Sequence, residues 1–228
     1  MTDFVIAPPA GTALPVAGEA ARFPVRRVYC IGRNYAAHAV EMGHDPNREP
    51  PFFFQKNPDN LDPSGEFPYP GQSADVHHEV ELAVALGGGG SDIPLAQAMD
   101  RVWGYAVALD MTRRDVQDEA KRLKRPWDTS KAFERSAPIG PLVPKAAFGD
   151  PSKGAISLAV NGAIRQSGNL EQMIWKVPEM IAYLSTWFTL AAGDVILTGT
   201  PAGVGPVARG DRLEARVAGL PPLDVRVV

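Results

Sequence analysis

The chain has 228 residues, of which 45% are hydrophobic and 21% are charged, and its formal net charge is −3. This composition is ordinary for a globular protein, and the charge gives no electrostatic reason to expect binding to nucleic acid. Cys30 is the only cysteine, which excludes an internal disulfide and a cysteine-based zinc site. The sequence shows neither a secretion signal nor the ~20 apolar residues of a membrane-spanning helix, so we expect a cytoplasmic protein without a membrane partner.

The first half of the chain contains short strand patterns separated by segments rich in proline and glycine. The apolar character of residues 4–7, 27–31 and 51–55 predicts a strand in each range. Asn34 is well placed to cap a helix that the pattern predicts over residues 35–42.

Strand and helix patterns alternate in the middle of the chain. Residues 77–86 first alternate between polar and apolar side chains and then become uniformly apolar, which predicts a strand that enters the core. A second strand is predicted over 103–109, and helices are predicted over 93–102 and 112–123.

The last third of the chain predicts two hairpins. Asn161-Gly162 is the strongest short hairpin signal, and it separates strands predicted over 156–160 and 163–166. A helix is predicted over 173–188 and a strand over 194–198. A closing hairpin is predicted from strands over 211–217 and 223–228. Because many short strands are separated by turns, we expect a sheet-dominated α+β fold rather than a repeated βαβ pattern.

Glu79 and Glu81 lie two residues apart in the strand predicted over 77–86. This spacing places both carboxylates on one face of a strand, where like charges repel each other unless a positive group lies beside them. Asp110 directly follows the next predicted strand. Three convergent carboxylates are ligands that a hard cation such as Mg²⁺ or Mn²⁺ prefers, whereas zinc more often recruits histidine or cysteine.

Another role for these carboxylates is compatible with the same spacing. A Glu-x-Glu pair on a strand is commonly an exposed polar face, and Asp110 could cap the helix predicted over 112–123. The apolar residues that follow the pair, 83–86, favour the metal site because they place the pair beside the core.

His38 and Glu41 lie three residues apart in the helix predicted over 35–42, so their side chains are neighbours. A carboxylate beside an imidazole orients the ring and raises its basicity, as a general-base pair requires. A surface His–Glu pair has the same spacing, so the pattern by itself leaves both interpretations open.

Five motifs in order, from about residue 28 to residue 207, resemble the fumarylacetoacetate hydrolase family. The motifs are Ile31-Gly32-Arg33-Asn34-Tyr35 with His38 and Glu41, His78-Glu79-Val80-Glu81-Leu82, Gly104-Tyr105 through Asp110-Met111-Thr112-Arg113-Arg114-Asp115, Lys131-Ala132-Phe133, and Leu197-Thr198-Gly199-Thr200-Pro201-Ala202-Gly203-Val204-Gly205. Each motif alone is unspecific, whereas the ordered set makes a specific match.

The resemblance implies a mixed β-roll of the α+β class with peripheral helices, and it implies a homodimer. Residues 1–25 would form a small N-terminal segment that packs on a catalytic domain over residues 26–228. The resemblance also implies Glu79, Glu81 and Asp110 as the ligands of Mg²⁺ or Mn²⁺.

The remaining site residues are likewise implied by the resemblance. His38 and Glu41 would form a pair on a lid helix that orders over the bound substrate. Lys131 would lie beside the metal and donate to substrate oxygens, and Gln117 would point toward the same pocket. Thr200 and the loop amides around it would receive a substrate carboxylate.

A finer resemblance, in residues 49–56 and 125–128, points to the fumarylpyruvate hydrolases of aromatic-acid breakdown. It implies cleavage of a carbon–carbon bond in a 2,4-dioxo acid of the acylpyruvate type, with fumarylpyruvate giving fumarate and pyruvate. Such a substrate carries a distal carboxylate, for which Arg33, Lys124 and Arg125 are candidate partners. Arg33 is preferred because it neighbours the lid motif, although all three could equally be solvated surface charges.

Two other functions are compatible with these residues. An oxaloacetate-type decarboxylase, or an isomerase of an unsaturated dicarboxylate, would share the scaffold, the metal and the enolate chemistry. His38 with Glu41 favours hydrolysis, which needs an activated water, although a base on the lid could also shuttle protons in the other two reactions. A non-catalytic module that binds a metal or a carboxylate would need neither this pair nor Lys131, and their joint presence argues against it.

Overall fold

The computed structural model describes residues 4–41, 50–149 and 151–228, with residues 38–40 described by their backbone alone. The strands are β1 (Ala13–Pro15), β2 (Arg22–Pro24), β3 (Arg27–Gly32), β4 (Phe52–Lys56), β5 (Leu61–Asp62), β6 (Glu66–Phe67), β7 (Val76–His78), β8 (Val80–Leu86), β9 (Val102–Leu109), β10 (Thr112–Arg113), β11 (Ala137–Pro138), β12 (Val143–Pro144), β13 (Ala155–Val160), β14 (Ala163–Asn169), β15 (Asp194–Leu197), β16 (Gly205–Pro206), β17 (Arg212–Val217) and β18 (Leu223–Val227). The helices are α1 (Ala36–Glu41), α2 (Leu95–Ala98), α3 (Arg114–Arg122), α4 (Asp128–Lys131), α5 (Lys145–Phe148) and α6 (Val177–Trp187). None of the helices in these described ranges is long and apolar enough to cross a membrane.

The main sheet has the strand order β12-β9-β8-β15-β3-β4. Every residue of β8 is buried. The Val and Leu side chains of β8 join the main hydrophobic core on one face, whereas Ala83 and Ala85 pack into a second cluster on the other. A strand that is covered on both faces has no solvent-exposed position, which explains why its second half is an uninterrupted apolar run.

A second sheet has the strand order β14-β13-β17-β18-β6. Buried residues alternate with more exposed ones along β17 and β18, because one face of this sheet packs on the main core. The predicted hairpin joins β13 to β14, and its turn residues Asn161 and Gly162 both have positive φ, 52° and 80°. Positive φ at both positions is what the type I′ turn of an Asn-Gly hairpin requires.

The chain changes from one sheet to another at Glu79. The strand β7 belongs to a third sheet, ordered β10-β7-β16, whereas β8 belongs to the main sheet. The strand predicted over 77–86 is therefore interrupted at Glu79, the single residue between β7 and β8. The helix predicted over 112–123 begins only at Arg114 for a related reason, since Thr112–Arg113 pairs with β7 as a short strand.

A hairpin of β1 and β2 precedes the main sheet. Leu14 and Phe23 of this hairpin are buried in the second cluster together with Val28 and Cys30 of β3. The hairpin and the main sheet therefore share one core, while the predicted domain boundary after residue 25 stays a prediction.

Several sheets and a few short helices make up the fold, so the predicted α+β class is confirmed. The predicted strands that are confirmed to within one residue at each end lie over 27–31, 51–55, 103–109, 156–160, 194–198, 211–217 and 223–228. The strand predicted over 4–7 is wrong. Its large apolar side chains are exposed and no described strand pairs with it, which would leave its backbone groups without a ladder.

The predicted helices are present but shorter than their patterns. The helix predicted over 93–102 is divided into α2 and a single 3-10 turn, Met99–Arg101. The helix predicted over 173–188 is α6, whose first turn contains Pro178. Proline has no N–H to donate and suits only the first turn, so it determines where α6 begins. The predicted end of the helix over 35–42 lies outside the described residues.

Candidate metal centre and active site

Three carboxylates meet at one end of the β8–β9 pair. Glu79 precedes β8, Glu81 lies within it, and Asp110 follows β9. Because β8 and β9 are antiparallel neighbours, the start of one lies beside the end of the other, and the Asp110 N–H donates to the Glu79 carbonyl oxygen at 2.8 Å. One carboxylate oxygen from each residue lies within 4.8 Å of the others, and all three side chains are buried. The structure thus brings the three predicted ligands together.

Two of the three carboxylates lie between buried cations. The Lys131 ammonium donates to Glu79 at 2.9 Å and to Asp110 at 2.7 Å. Arg114 adds a contact to Glu79 at 2.5 Å, and Lys56 adds a contact to Asp110 at 2.9 Å. The alternative that Asp110 caps a helix is wrong, because its carboxylate pairs with these lysines and α3 has no side-chain cap.

Glu81 differs from the other two carboxylates. It accepts the Gly199 N–H at 2.7 Å, and within the described residues it forms no ion pair. Burial raises the pKa of Glu81 well above its ordinary value, and the negative charges of Asp110 and Glu79 raise it further, against the opposing effects of the Gly199 N–H and Lys131. A buried carboxylate without a positive partner is unfavourable, and a bound cation would supply that partner.

The donor set fits a divalent metal ion. All three donors are carboxylate oxygens, and no histidine or cysteine in the described part of the chain belongs to the group. Hard cations prefer such oxygen ligands. Glu81 is the one carboxylate of the three that forms no ion pair in the described part of the chain, so it is the ligand that a bound cation would stabilise most directly.

Lys131 ends α4 and is buried beside the carboxylates. Burial alone would lower the pKa of Lys131, but the negative charges of Asp110 and Glu79 outweigh burial and the pKa is raised. Lys131 therefore stays protonated, and a protonated lysine at this point can donate to a bound anionic oxygen.

Lys56 lies at the site, although it is not among the site residues predicted from the amino-acid sequence. It ends β4, on which Phe52, Phe54 and Lys56 alternate and so share one face. The two phenylalanines line the cleft that contains the carboxylates, and the Lys56 ammonium contacts Asp110 and the Ser136 hydroxyl. The signal that could have identified Lys56 is this two-residue period, which continues an aromatic face into a buried lysine.

Gln117 lies on α3 and lines the same cleft. Arg114 donates to Gln117 Oε1 at 2.6 Å, so the Gln117 amide nitrogen is the end left for other partners. His77 accepts from Arg114 Nε at 3.4 Å and donates to Asp75 at 2.9 Å. Burial and the Arg114 charge lower the pKa of His77, which keeps the ring neutral and able to accept. His77 thereby supports Arg114, which in turn places Glu79 and Gln117.

Thr200 lies on the loop after β15 and lines the cleft. The preceding Gly199 has φ of +93°, and a Cβ at that position would lie 2.7 Å from the Asn34 Cβ. Glycine is required there, because it lets the loop pass against Asn34 while its N–H reaches Glu81. The Thr200 hydroxyl accepts a hydrogen bond from Gln166 Nε2 at 2.7 Å.

The prediction that Asn34 caps α1 is wrong. Its Oδ1 accepts the Trp175 N–H at 2.7 Å, and its Nδ2 donates to the carbonyl oxygens of Thr198 at 2.8 Å and Trp175 at 3.0 Å. The side chain is fully buried, so partners from distant segments replace the helix N–H groups. Asn34 instead connects the start of α1 to the end of β15.

His38 and Glu41 lie on α1, which ends at Glu41. The side chain of His38 is outside the part of the chain that the structure describes, so its pairing with Glu41 stays a prediction. The Glu41 carboxylate accepts the Gly203 N–H at 3.0 and 3.1 Å. Because Gly203 belongs to the same loop as Thr200, this contact joins the end of α1 to the edge of the cleft.

A second cavity adjoins the cleft at the carboxylates. Arg33, Phe52, Phe54 and Trp127 line both spaces, and the second has a volume of about 520 Å³. The Trp127 ring packs against Phe52 and Phe54 with centroid distances of 5.0 and 5.8 Å. An aromatic wall therefore extends from the acidic cleft into a larger, less acidic space.

Arg33 lies at the junction of the two spaces. Its guanidinium is 5.4 Å from the centroid of the Phe52 ring, and its backbone has a left-handed φ of 58°. This conformation is unfavourable for a residue other than glycine, and residues with such strain are enriched at functional sites. Arg125 lines the second cavity but not the cleft, whereas Lys124 lines neither.

The family model described as fumarylacetoacetate (FAA) hydrolase C-terminal matches residues 27–228. The crystal structure of fumarylpyruvate hydrolase from Pseudomonas aeruginosa, in complex with Mn²⁺ and pyruvate, is 53% identical in sequence. The alignment covers 99% of this chain and 99% of that chain, with a TM-score of 0.97. These matches confirm the family resemblance and the fold that it implied.

Two curated relatives carry out a different reaction. The mitochondrial oxaloacetate decarboxylase of Dictyostelium discoideum is 45% identical over 197 residues, which cover 86% of this chain and 90% of that protein. The mitochondrial oxaloacetate tautomerase of Homo sapiens is 43% identical over 202 residues, which cover 89% of this chain and 91% of that protein. Similarity therefore identifies an enzyme family whose members differ in the reaction that they catalyse.

Proposed function

The chain belongs to the fumarylacetoacetate hydrolase family, and from this membership we propose that it is a metal-dependent hydrolase that cleaves a carbon–carbon bond in an acylpyruvate. The substrate that we propose is fumarylpyruvate, which would give fumarate and pyruvate in the breakdown of aromatic acids. We expect Mg²⁺ or Mn²⁺ as the cofactor, a cytoplasmic location and a homodimer. The Pseudomonas aeruginosa fumarylpyruvate hydrolase, which holds Mn²⁺ and pyruvate, supports the metal and the product.

The observation that carries this proposal is the opening of the acidic cleft into a cavity of about 520 Å³. The 2-oxo acid end of an acylpyruvate would lie at the carboxylates, and its acyl end needs space beyond them. A fumaryl group would extend past Phe52 and Trp127 into that space. Oxaloacetate, whose carbon chain ends at carbon 4, has no acyl group to place there.

The residues around the carboxylates suit the charge that develops during this reaction. A divalent ion held by Glu79, Glu81 and Asp110 would supply a Lewis acid that stabilises the departing enolate. Lys131 is protonated and would donate hydrogen bonds to the same substrate oxygens. Thr200 would receive the substrate carboxylate from the opposite loop.

His38 and Glu41 would activate the water. His38, oriented by Glu41, would take a proton from water as the water oxygen attacks the 4-carbonyl carbon. The bond between carbons 3 and 4 then breaks, and its electron pair moves into the pyruvate enolate. The proton held by His38 returns to carbon 3, which completes pyruvate and leaves the acyl group as a carboxylic acid.

Arg33 is the residue that we propose for the distal carboxylate of fumarylpyruvate. Its position at the junction of the two spaces supports this role, because the acyl group would pass along the same aromatic wall. Arg125, which lines only the second of them, is an additional candidate.

A second candidate function is the tautomerisation or decarboxylation of oxaloacetate, which the curated relatives favour. Both reactions pass through an enol or enolate of a 2-oxo acid, and the carboxylate cluster with Lys131 would serve them equally. Neither reaction needs a water nucleophile, although His38 could transfer a proton in either of them, so their products distinguish them from hydrolysis.

A product assay on the metal-loaded protein tests the proposal. We expect pyruvate to be released fastest from fumarylpyruvate, more slowly from acetylpyruvate and least from oxaloacetate, with EDTA abolishing the activity and Mn²⁺ or Mg²⁺ restoring it. His38→Ala should lower kcat for fumarylpyruvate by about 10²–10⁴-fold, since a general base contributes that much. Preferred turnover of oxaloacetate, followed both as pyruvate release and as keto–enol conversion, would overturn the hydrolase proposal. Near-normal hydrolysis by His38→Ala would remove His38 from the mechanism.

A further inference from the structure

Gln166 is a fully buried residue of β14 that does not line the cleft. Its side-chain amide forms hydrogen bonds with Val80, Pro201, His78 and Thr200. An amide side chain has two donor hydrogens and two acceptor lone pairs, so these bonds use its full capacity. A buried amide with every position occupied has one orientation.

Two of these hydrogen bonds determine that orientation. The Val80 N–H donates to Gln166 Oε1 at 3.1 Å, and Gln166 Nε2 donates to the Pro201 carbonyl oxygen at 2.8 Å. A backbone N–H can only donate and a carbonyl oxygen can only accept. The oxygen and nitrogen ends of Gln166 therefore cannot be exchanged.

The orientation of Gln166 then sets the direction of its other two bonds. Gln166 Oε1 accepts from His78 Nδ1 at 3.0 Å, and Gln166 Nε2 donates to the Thr200 hydroxyl oxygen at 2.7 Å. Since the Thr200 oxygen is an acceptor toward Gln166, its own proton has to point elsewhere. No other described residue accepts that proton, and Thr200 lines the cleft.

The loop that carries Thr200 packs directly on β14. A Cβ at Gly203 would lie 2.1 Å from the Arg165 carbonyl oxygen, and a Cβ at Gly168 would lie 2.9 Å from the Pro201 side chain. The loop backbone therefore lies closer to β14 than a side chain at either glycine would allow. This close packing places Thr200 within hydrogen-bond distance of Gln166.

We infer that Gln166 is a positioning residue that makes the Thr200 hydroxyl a fixed hydrogen-bond donor into the cleft. Carboxylate oxygens only accept, so such a donor suits the anionic head of a 2-oxo acid and opposes a ligand that presents an N–H at the same point. The inference rests on the proposed function, which places a 2-oxo acid in the cleft. Gln166, which does not line the cleft, would thereby favour binding of an anionic head group.

Binding of pyruvate to the Mn²⁺-loaded protein tests this role without turnover. Thr200→Val should weaken pyruvate binding by about tenfold to a hundredfold, because a hydrogen bond to a charged group is lost, whereas Thr200→Ser should restore it. Gln166→Glu keeps the shape of the side chain but offers an oxygen that accepts the Thr200 proton. It should weaken pyruvate binding to a similar extent.

The double variant separates positioning from a general structural effect. If Gln166 acts through Thr200, Gln166→Glu with Thr200→Val should bind pyruvate no more weakly than Thr200→Val alone. The affinity for Mn²⁺ and the far-UV circular dichroism should stay unchanged in every variant. Multiplied losses in the double variant, or normal pyruvate binding by Gln166→Glu, would overturn the inference.

A second comparison needs no substitution at Gln166, should Gln166→Glu fail to fold. Pyruvamide presents an NH₂ group in place of one carboxylate oxygen. An NH₂ group that faces Thr200 cannot accept the hydrogen bond that the Thr200 hydroxyl donates. Thr200→Val should therefore weaken binding of pyruvate but not of pyruvamide. An equal loss for both ligands, or no binding of pyruvate by the wild type, would overturn the inference, and both results are independent of whether fumarylpyruvate is cleaved.

Discussion

At the scale of single residues, the balance of buried charge decides what the site can hold. Glu79 and Asp110 each lie between two cations, whereas Glu81 receives a single backbone N–H. Removing one partner of a buried ion pair is destabilising, whereas removing an unpaired buried charge is favourable. The same chemical substitution at the two glutamates should therefore have opposite effects.

Glu81→Gln should raise the free energy of unfolding of the metal-free protein by about 1 kcal/mol or more, because a side-chain oxygen still accepts the Gly199 N–H while the unpaired charge is gone. Glu79→Gln is the matched control and should lower it by about 3–5 kcal/mol, since Lys131 and Arg114 lose their partner. Urea unfolding in EDTA measures both values. A change of the same sign in both variants would contradict this charge balance.

At the scale of elements, the site depends on a loop that approaches other segments more closely than a side chain allows. Gly199 and Gly203 both have positive φ, and a Cβ at either position would collide with neighbouring atoms. These two glycines hold the loop after β15 against Asn34 on one side and against β14 on the other. The position of Thr200 between them follows from both contacts.

Gly199→Ala should destabilise the protein by about 1–3 kcal/mol and weaken Mn²⁺ binding, because the added Cβ displaces the N–H that holds Glu81. Gly162→Ala is the matched control, since Gly162 also has positive φ but a Cβ there meets no atom within 4 Å. The control should lose stability through backbone strain alone and bind Mn²⁺ normally. Isothermal titration with Mn²⁺ compares the two, and equal metal affinities would rule out the proposed effect of the loop on Glu81.

At the scale of the whole molecule, two hydrophobic clusters cover the two faces of the main sheet. The strand β8 contributes its Val and Leu side chains to one cluster and its alanines to the other. Because one strand belongs to both clusters, neither can come apart without exposing the other. The N-terminal hairpin, which supplies Leu14 and Phe23 to the second cluster, should therefore unfold together with the rest of the chain.

Leu14→Ala should lower the free energy of unfolding by about 2–5 kcal/mol in a single transition, because Leu14 is fully buried. Leu95→Ala is the control and should change it by less than about 0.5 kcal/mol, since Leu95 is 55% exposed. Denaturation followed by circular dichroism and by tryptophan fluorescence measures both variants. An early, separate transition in Leu14→Ala would show that the hairpin is an independent unit.

The sequence by itself determined most of the strands and the three carboxylates that the structure brings together. Strand patterns depend on the two-residue alternation of neighbouring side chains, and Glu79, Glu81 and Asp110 each belong to a contiguous motif. Both kinds of signal are local, so they can be read without knowing which strands are neighbours. Predictions that relied on local rules alone failed where distant partners decided the outcome: Asn34 bonds to distant segments, and the strand predicted over 4–7 has no partner strand among the described residues.

The tertiary structure alone decided which residues complete the site. Lys56 reaches Asp110 although β8, β15 and β3 separate β4 from β9 in the main sheet, and Gln166 meets His78 across 88 residues of sequence. Asn34 bonds to Thr198 across 164 residues. Such contacts are set by strand order and register, which depend on how all the elements pack at once. For that physical reason no local pattern gives the partners of Asn34 and Gln166, and the two-residue period of β4 indicates the face of Lys56 but not the carboxylate that it contacts.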